Sequence, residues 1–278
     1  MAETQQNLVD ITRDYYDSKD ADTFYYHIWG GEDIHVGMYL SDNDSIGMAS
    51  RQTVEEMASV LDTLNEDSFI LDIGAGYGGA ARHLAAKFGC QVDCLNLSET
   101  ENQRNKEKNE QAGLQNKINV YYGNFEDMPF EDEKYDIIWC QDAILHSDNK
   151  PKVISEVRRL LKKGGSFVFT DPMQADHADP GMLQPVLDRI HLKELGSVKK
   201  YCKLAKENGL EEVSIQEMPD KIATHYGRVL NELESREKEL SDLVSDQYIS
   251  NMKTGLKNWV KFGNEGHLNW AIMHFRKI

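Results

Sequence analysis

Ten consecutive residues constrain this chain most: Ile70-Leu71-Asp72-Ile73-Gly74-Ala75-Gly76-Tyr77-Gly78-Gly79. The apolar run Phe69 to Ile73, ended by glycines, reads as a buried strand. The glycines let the backbone turn sharply and let a ligand approach without a Cβ in the way. A helix from about Ala80 to Phe88 follows, and a helix start offers unpaired N–H groups to an anion. Asp72 argues against that use, because a turn built for phosphate gains nothing from a carboxylate two residues earlier.

The alternation continues downstream. Gln91 to Leu97 reads as a second strand and Glu99 to Gln111 as a polar-faced helix. Ile118 to Tyr122, Tyr135 to Cys140 and Ser166 to Thr170 supply three more short strands. A helix over Pro151 to Leu161 opens on proline and stops at Lys162-Lys163-Gly164-Gly165. Strict alternation predicts an α/β fold, a parallel sheet with helices on both faces. Asp171 to Pro185 carries three prolines and reads as a loop. A helix near Ser197 to Asn208 and a strand over Glu211 to Gln216 resume the pattern. A charged helical stretch from Ile222 to Phe262 and a closing strand, Leu268 to Phe275, complete it. Three segments result: an N-terminal aromatic-rich piece (1–62), the alternating core (63–218), and a helical insertion with the closing strand of the same domain (219–278).

Composition narrows the partners. Forty-seven Asp and Glu against 31 Lys and Arg give a formal charge of -16 over 278 residues. Nucleic acid and anionic membranes both need clustered Lys and Arg, so neither is an expected partner. Such acidity serves solubility, and also proteins that work in concentrated salt. The N-terminus lacks the basic end and apolar stretch of a signal peptide, and no run reaches membrane-spanning length. A cytoplasmic location is expected. Cys90, Cys94, Cys140 and Cys202 form no CxxC pair and have no His-rich partner segment, so no metal is expected.

A glycine turn by itself is shared with NAD-dependent dehydrogenases. Asp72 disfavours that reading, as does Asn96, which ends the second strand where a ribose-binding acid would stand. Further elements follow in order: Gly123-Asn124-Phe125-Glu126-Asp127-Met128-Pro129-Phe130, then Tyr135-Asp136-Ile137-Ile138-Trp139. Together they make the chain resemble class I S-adenosylmethionine-dependent methyltransferases. The resemblance implies a doubly wound, Rossmann-like sheet, mostly parallel with an antiparallel last strand. It also implies an N-terminal helical lid and a helical insertion before that strand. S-adenosylmethionine would be the cofactor and S-adenosylhomocysteine its product. Asp72, Gly74, Ala75 and Gly76 would surround the methionine part and Asn96 the ribose. Asn124, by its carbonyl, and Phe125 would flank the adenine, with Leu97, Gln103 and Gln141 completing the set. Three segments narrow the likeness: Ile28 to Gly37, Gln141 to His146, and Thr170-Asp171-Pro172-Met173. They resemble sarcosine/dimethylglycine N-methyltransferases of betaine synthesis. Phosphoethanolamine N-methyltransferases share a looser version of the first two, and a non-catalytic cofactor-binding protein is a third reading.

Methyl transfer to an amine needs donor and acceptor in line, water excluded, and the amine unprotonated. His146, just beyond the fourth strand, is the base candidate; the resemblance pairs it with Tyr16, for which Tyr15 is a rival. A hydrogen bond that merely latches a lid is the competing role for His146. Arg189 is the candidate for a substrate carboxylate, with Arg51 and Arg228 as alternatives. Tyr25, Tyr26 and Trp29 would face the ammonium that develops during transfer. Pro172 and Met173 would pack on its methyl groups, although core packing is the commoner role for methionine. Oligomeric state is not legible.

Overall fold

The computed structural model describes residues 2–179, 181–190 and 192–278. Three helices come first: α1 (Ala2–Tyr16), α2 (Lys19–Ile28) and α3 (Ile46–Ser59). The alternating core follows as β1 (Phe69–Ile73), α4 (Gly79–Phe88), β2 (Gln91–Asn96), α5 (Glu99–Gln111), β3 (Ile118–Tyr122), β4 (Tyr135–Gln141), α6 (Lys150–Leu160) and β5 (Leu161–Gln174). Then come α7 (Gln184–Arg189), α8 (Val198–Glu207), β6 (Leu210–Glu217), α9 (Asp220–Ser235), α10 (Glu237–Leu240), α11 (Asp246–Asn264) and β7 (Leu268–Lys277).

The seven strands form one sheet in the order β3-β2-β1-β4-β5-β7-β6. The first five are parallel, and β7 runs antiparallel between β5 and β6. The order reverses direction at β1, so the β1/β4 boundary is where open α/β sheets bind ligands. Helix starts are set locally: Ser18, Ser45, Ser98, Asn149, Ser197 and Ser245 each accept an N–H in the first turn of the helix they open.

Two sequence readings need correction. Lys162 to Gly165 does not lie between helix and strand; the strand begins at Leu161, bends across a register shift opposite Tyr135/Ile137, and then runs on. At its other end β5 extends through Pro172 to Gln174, inside the stretch read as a loop, because β7 pairs with it along that length. The proline causes no break, since β4 pairs with β5 only as far as Thr170 and Pro172 has a partner strand on one side alone.

Three apolar clusters organise the interior. Two lie on the two faces of the sheet. The third joins Phe24, Ile28 and Trp29 of the N-terminal segment to Val229, Leu233, Leu240, Ile249, Met252 and Leu256 of the helical insertion. The cap over the carboxyl edge is therefore a joint product of the two ends of the chain. It is tied to the sheet by Arg104, which donates twice to Asp22 (2.7 and 2.5 Å), and by the Tyr77 hydroxyl, which donates to the same carboxylate (3.1 Å).

Candidate active site

Two cavities meet above the carboxyl ends of β1, β2, β3 and β4. The first is a narrow cleft of about 90 Å³ between the glycine turn and the ends of β2 and β3, roofed by Val9, Thr12, Arg13 and Tyr16 of α1. The second is a cavity of about 880 Å³ under the cap. Thr12, Tyr16, Ile34, Asp142 and His146 line both.

In the cleft, the first amides of the glycine turn are already committed. Gly74 and Ala75 both donate to the Leu95 carbonyl, at 2.8 and 3.3 Å. Gly79, the first residue of α4, packs so tightly under Glu32 and Asp33 that a Cβ would collide with the Asp33 carboxylate. The helix start therefore faces protein carboxylates. This crowding disfavours a dinucleotide's pyrophosphate, which needs an open helix terminus. Gly76 differs: at φ +51° a Cβ there would meet only Ile34, 3.8 Å away, on the cleft side.

Polar groups of the kind a nucleoside pairs with line this cleft, some of them outside the residues that the sequence singles out. Asn96 lines the cleft with Leu97, and its Nδ2 donates to Glu101 Oε2 at 2.8 Å. Glu101 is buried and also lines the cleft. Burial pushes its carboxyl up to about 7, against the opposing Asn96 hydrogen bond. Gln103 is corrected: it is exposed and donates to Glu107 at 2.7 Å. Two residues along a helix is about 200° of rotation, so 101 and 103 face opposite ways. Phe125 and Gln141 line the cleft; Gln141 accepts from Trp139 Nε1 at 2.9 Å, and its buried Nε2 has no partner among the described residues. Asn124 lines it too, but its carbonyl oxygen accepts the Glu126 N–H at 2.9 Å, so that oxygen is not wholly available to a ligand. Asp72 and Ala75 do not line the cleft; Asp72 is buried on β1, where burial and Asp33 push its carboxyl up to about 7.

At the junction, a single helical turn, Ile144–His146, carries the histidine. Asp171 accepts the Leu145 N–H at 2.9 Å, and buried Lys150 donates to the carbonyls of Ser147 (2.8 Å) and Leu145 (3.3 Å). His146 Nε2 lies 3.0 Å from the Tyr16 hydroxyl. Burial, helped by the Lys150 charge, pulls the imidazole down to about 4, while burial raises the Tyr16 phenol well above its ordinary range. At neutral pH both partners are therefore uncharged, and the tautomer of the imidazole sets which of them donates. Tyr15 bonds elsewhere, to the hydroxyls of Tyr248 (2.9 Å) and Tyr25 (3.2 Å). Asp142, quoted in the sequence only as part of a motif, adopts a left-handed φ of +52°. Its carboxylate accepts the Val36 N–H at 2.6 Å and Trp270 Nε1–H at 2.8 Å, pinning the capping segment to the end of β4.

The large cavity separates the arginine candidates. Arg51 pairs with Asp33 at 2.8 Å and Arg228 with Asp42 at 3.4 Å; neither lines a cavity here. Arg189 lines the cavity and makes no ion pair among the described residues. Tyr25, Trp29 and Pro172 share its walls, joined by Tyr15, Tyr226 and Tyr248 from distant parts of the chain. Tyr26 and Met173 are corrected. Tyr26 turns outward beneath Arg104, whose guanidinium sits 4.6 Å above its ring. Met173 is fully buried in the core on the opposite face of the strand from Pro172. Among the described residues no cluster of His, Cys, Asp or Glu is arranged to hold a metal, and no helix is long and apolar enough to cross a membrane.

Comparison with known proteins agrees with this geometry. Residues 71–169 match the family model described as "Methyltransferase domain". A sarcosine/dimethylglycine N-methyltransferase from Halorhodospira halochloris is 49% identical over 97% of this chain and 96% of its own. A glycine/sarcosine/dimethylglycine N-methyltransferase from Actinopolyspora halophila is 50% identical over 97% of this chain, which spans about half (48%) of that longer relative. A solved structure from Galdieria sulphuraria, provisionally assigned as a sarcosine dimethylglycine methyltransferase, superposes with a TM-score of 0.90 at 48% identity, covering 95% of this chain and 98% of its own. With half its residues shared end to end with such relatives, on the same seven-stranded sheet, this chain belongs to the sarcosine/dimethylglycine N-methyltransferase family.

Proposed function

We propose that the protein transfers methyl groups to the nitrogen of sarcosine and dimethylglycine, forming glycine betaine, an osmolyte. The observation that carries this reading is Arg189. Among the described residues it is a guanidinium without a carboxylate partner, in a cavity walled by tyrosines and adjoining the polar-lined cleft. A small zwitterion matches both features: its carboxylate pairs with the arginine and its ammonium faces the aromatic rings.

S-adenosylmethionine, when bound between the glycine turn and Asn96, Glu101 and Phe125, supplies an electrophilic methyl group and leaves as S-adenosylhomocysteine. The chain's own residues do the positioning. Arg189 fixes one end of the acceptor, Tyr25 and Trp29 flank the other, and the Tyr16–His146 bond closes α1 over the junction. Near-attack positioning of this kind supplies ~7–11 kcal/mol of a barrier.

Two observations support a latch role for His146 over proton removal. Its Nε2 is already engaged by the Tyr16 hydroxyl, and an imidazole titrating at about 4 is a weak base. Taking a proton from an ammonium of ordinary amine pKa, about 10, would cost roughly 8 kcal/mol. The amine therefore sheds its proton to water before closure, and burial holds it neutral afterwards.

Incubation with labelled S-adenosylmethionine and glycine, sarcosine, dimethylglycine, phosphoethanolamine or dimethylglycine amide tests the proposal. Label should enter sarcosine and dimethylglycine. Transfer to phosphoethanolamine alone, or equal rates on dimethylglycine and its amide, would overturn it.

A further inference from the structure

Helix α11 presents Met252, Gly255, Leu256 and Trp259 on its buried face, the spacing of a single helical stripe. Gly255 is the odd member. Its backbone is ordinary, with no left-handed φ, so nothing in the helix geometry asks for glycine. In a helix interior glycine is less favourable than alanine by about 1 kcal/mol. What the position does demand is the absence of a Cβ. One added there would collide with Cδ and Nε of Arg189 and lie 2.8 Å from Cζ. The contact falls in the middle of the arginine side chain, between the helix that carries it, α7, and α11. A rotation of the guanidinium tip alone would not relieve it. Immediately beside this seat, Met252 Sδ lies 2.7 Å from Arg189 Nη2.

We infer that Gly255 is a specificity-determining residue: it forms the recess in α11 across which Arg189 lies, and so fixes where the acceptor's carboxylate is held. The inference rests on the reading of Arg189 as the carboxylate anchor. It adds that the anchor's position is set by a residue far from it in sequence, with no side chain of its own. Any side chain at 255 forces Arg189 out of the recess and moves the anion site relative to the methyl-donor cleft. Gly255 contributes no chemistry; it acts through Arg189.

A double-mutant cycle tests this on the full chain. KM and kcat for dimethylglycine are measured for wild type, Gly255→Ala, Arg189→Ala and the double variant. Calorimetric S-adenosylhomocysteine affinity and Tm are read on each. Gly255→Ala should raise KM at least tenfold, leave S-adenosylhomocysteine affinity within twofold, and leave Tm unchanged or higher because the helix gains alanine. In the Arg189→Ala background the same change should move KM less than twofold, because the clash has gone. Met252→Leu, which keeps the volume but removes the sulfur beside Nη2, should raise KM a few-fold, and carries the test should Gly255→Ala not fold. A normal KM in Gly255→Ala or, failing that variant, in Met252→Leu, beside a raised KM in Arg189→Ala, would overturn this inference alone, as would additive effects in the cycle. A normal KM in Arg189→Ala would overturn the carboxylate reading itself, and this inference with it.

Discussion

The two cavities that meet at Tyr16, Asp142 and His146 are built on different principles. The narrow cleft is made where strands end: the turn after β1, the Asn96-Leu97-Ser98 end of β2, the Asn124-Phe125 segment after β3, and Gln141 closing β4. Parallel pairing sets those ends side by side, so most of its groups are fixed by backbone. The large cavity is made of side chains from α1, α2, α7, α9 and α11, brought together only by packing of the cap. One site is inherited from the sheet, and the other is assembled on top of it. Changes to the first should therefore act on the methyl donor alone, and changes to the second on the acceptor alone. Only the shared junction should affect both.

The harshest test of that division is Gly76→Val. A β-branched residue at φ +51° is strained, and its side chain would enter the cleft beside Ile34. S-adenosylhomocysteine binding should vanish by calorimetry while the circular dichroism spectrum stays that of a folded chain. Retained affinity would mean that the turn is not the donor site. On the other side, Arg189→Ala should raise KM for dimethylglycine roughly 10- to 100-fold, the value of a charge-assisted hydrogen bond of about 1.5–3 kcal/mol. Donor affinity should hardly change; a parallel loss of S-adenosylhomocysteine binding would break the comparison.

The same contrast explains what could be read from sequence. The sheet, its antiparallel last strand by resemblance, and most of the cleft lie in contiguous motifs whose spacing is fixed by strand and turn lengths. The cavity's walls do not. Tyr226 and Tyr248 sit in a charged helical stretch with no local mark of function, and Gly255 resembles any helix glycine until Arg189 is seen against it. Residue type and approximate place point to Arg189, but only the pairing of Arg51 with Asp33 and of Arg228 with Asp42 sets it apart from the other two arginines. The cleft's own errors were ones of facing. In the cleft the sequence points to Gln103, whereas Glu101, half a helical turn away, faces inward; of Pro172 and Met173, only Pro172 reaches the large cavity. Asp142 was passed over because its role lies in a left-handed backbone and two long-range hydrogen bonds.

At the junction, Tyr16→Phe and His146→Ala should be equivalent. Each removes one hydrogen bond whose net value is about 0.5–1.5 kcal/mol, so a loss of roughly 2- to 12-fold in kcat/KM is expected from either. His146→Asn should retain part of the activity, and its pH–rate profile should coincide with that of wild type. Loss of the ~10²–10⁴-fold typical of general-base removal, with a shifted profile, would return His146 to proton transfer. It would also mean that the latch is more than a latch.

The smallest effect belongs to Glu101, where the cleft departs from a purely backbone design. Its carboxyl is buried and titrates at about 7, above its ordinary range, so the folded state holds that proton more tightly than the unfolded chain does. Such a group gives its full contribution to stability below its unfolded pKa, about 4.3, and loses it as pH rises towards 7. Asp171 and Asp72, both raised to about 7, have the same sign, so the ligand-free protein should lose stability across this interval on their account as well. Glu101→Gln removes one such carboxyl and keeps an oxygen for the Asn96 amide. Its Tm should exceed that of wild type by a few degrees at pH 8, and the difference should disappear near pH 4. The same variant should bind S-adenosylhomocysteine up to about tenfold more weakly at pH 8, since an amide is a poorer acceptor than a carboxylate for a ribose diol. A gain in stability matched by a loss in donor affinity, with KM for dimethylglycine unchanged, would place the buried charge in the service of the donor site. A stability gain with unchanged S-adenosylhomocysteine affinity would assign the ribose to Asn96 alone.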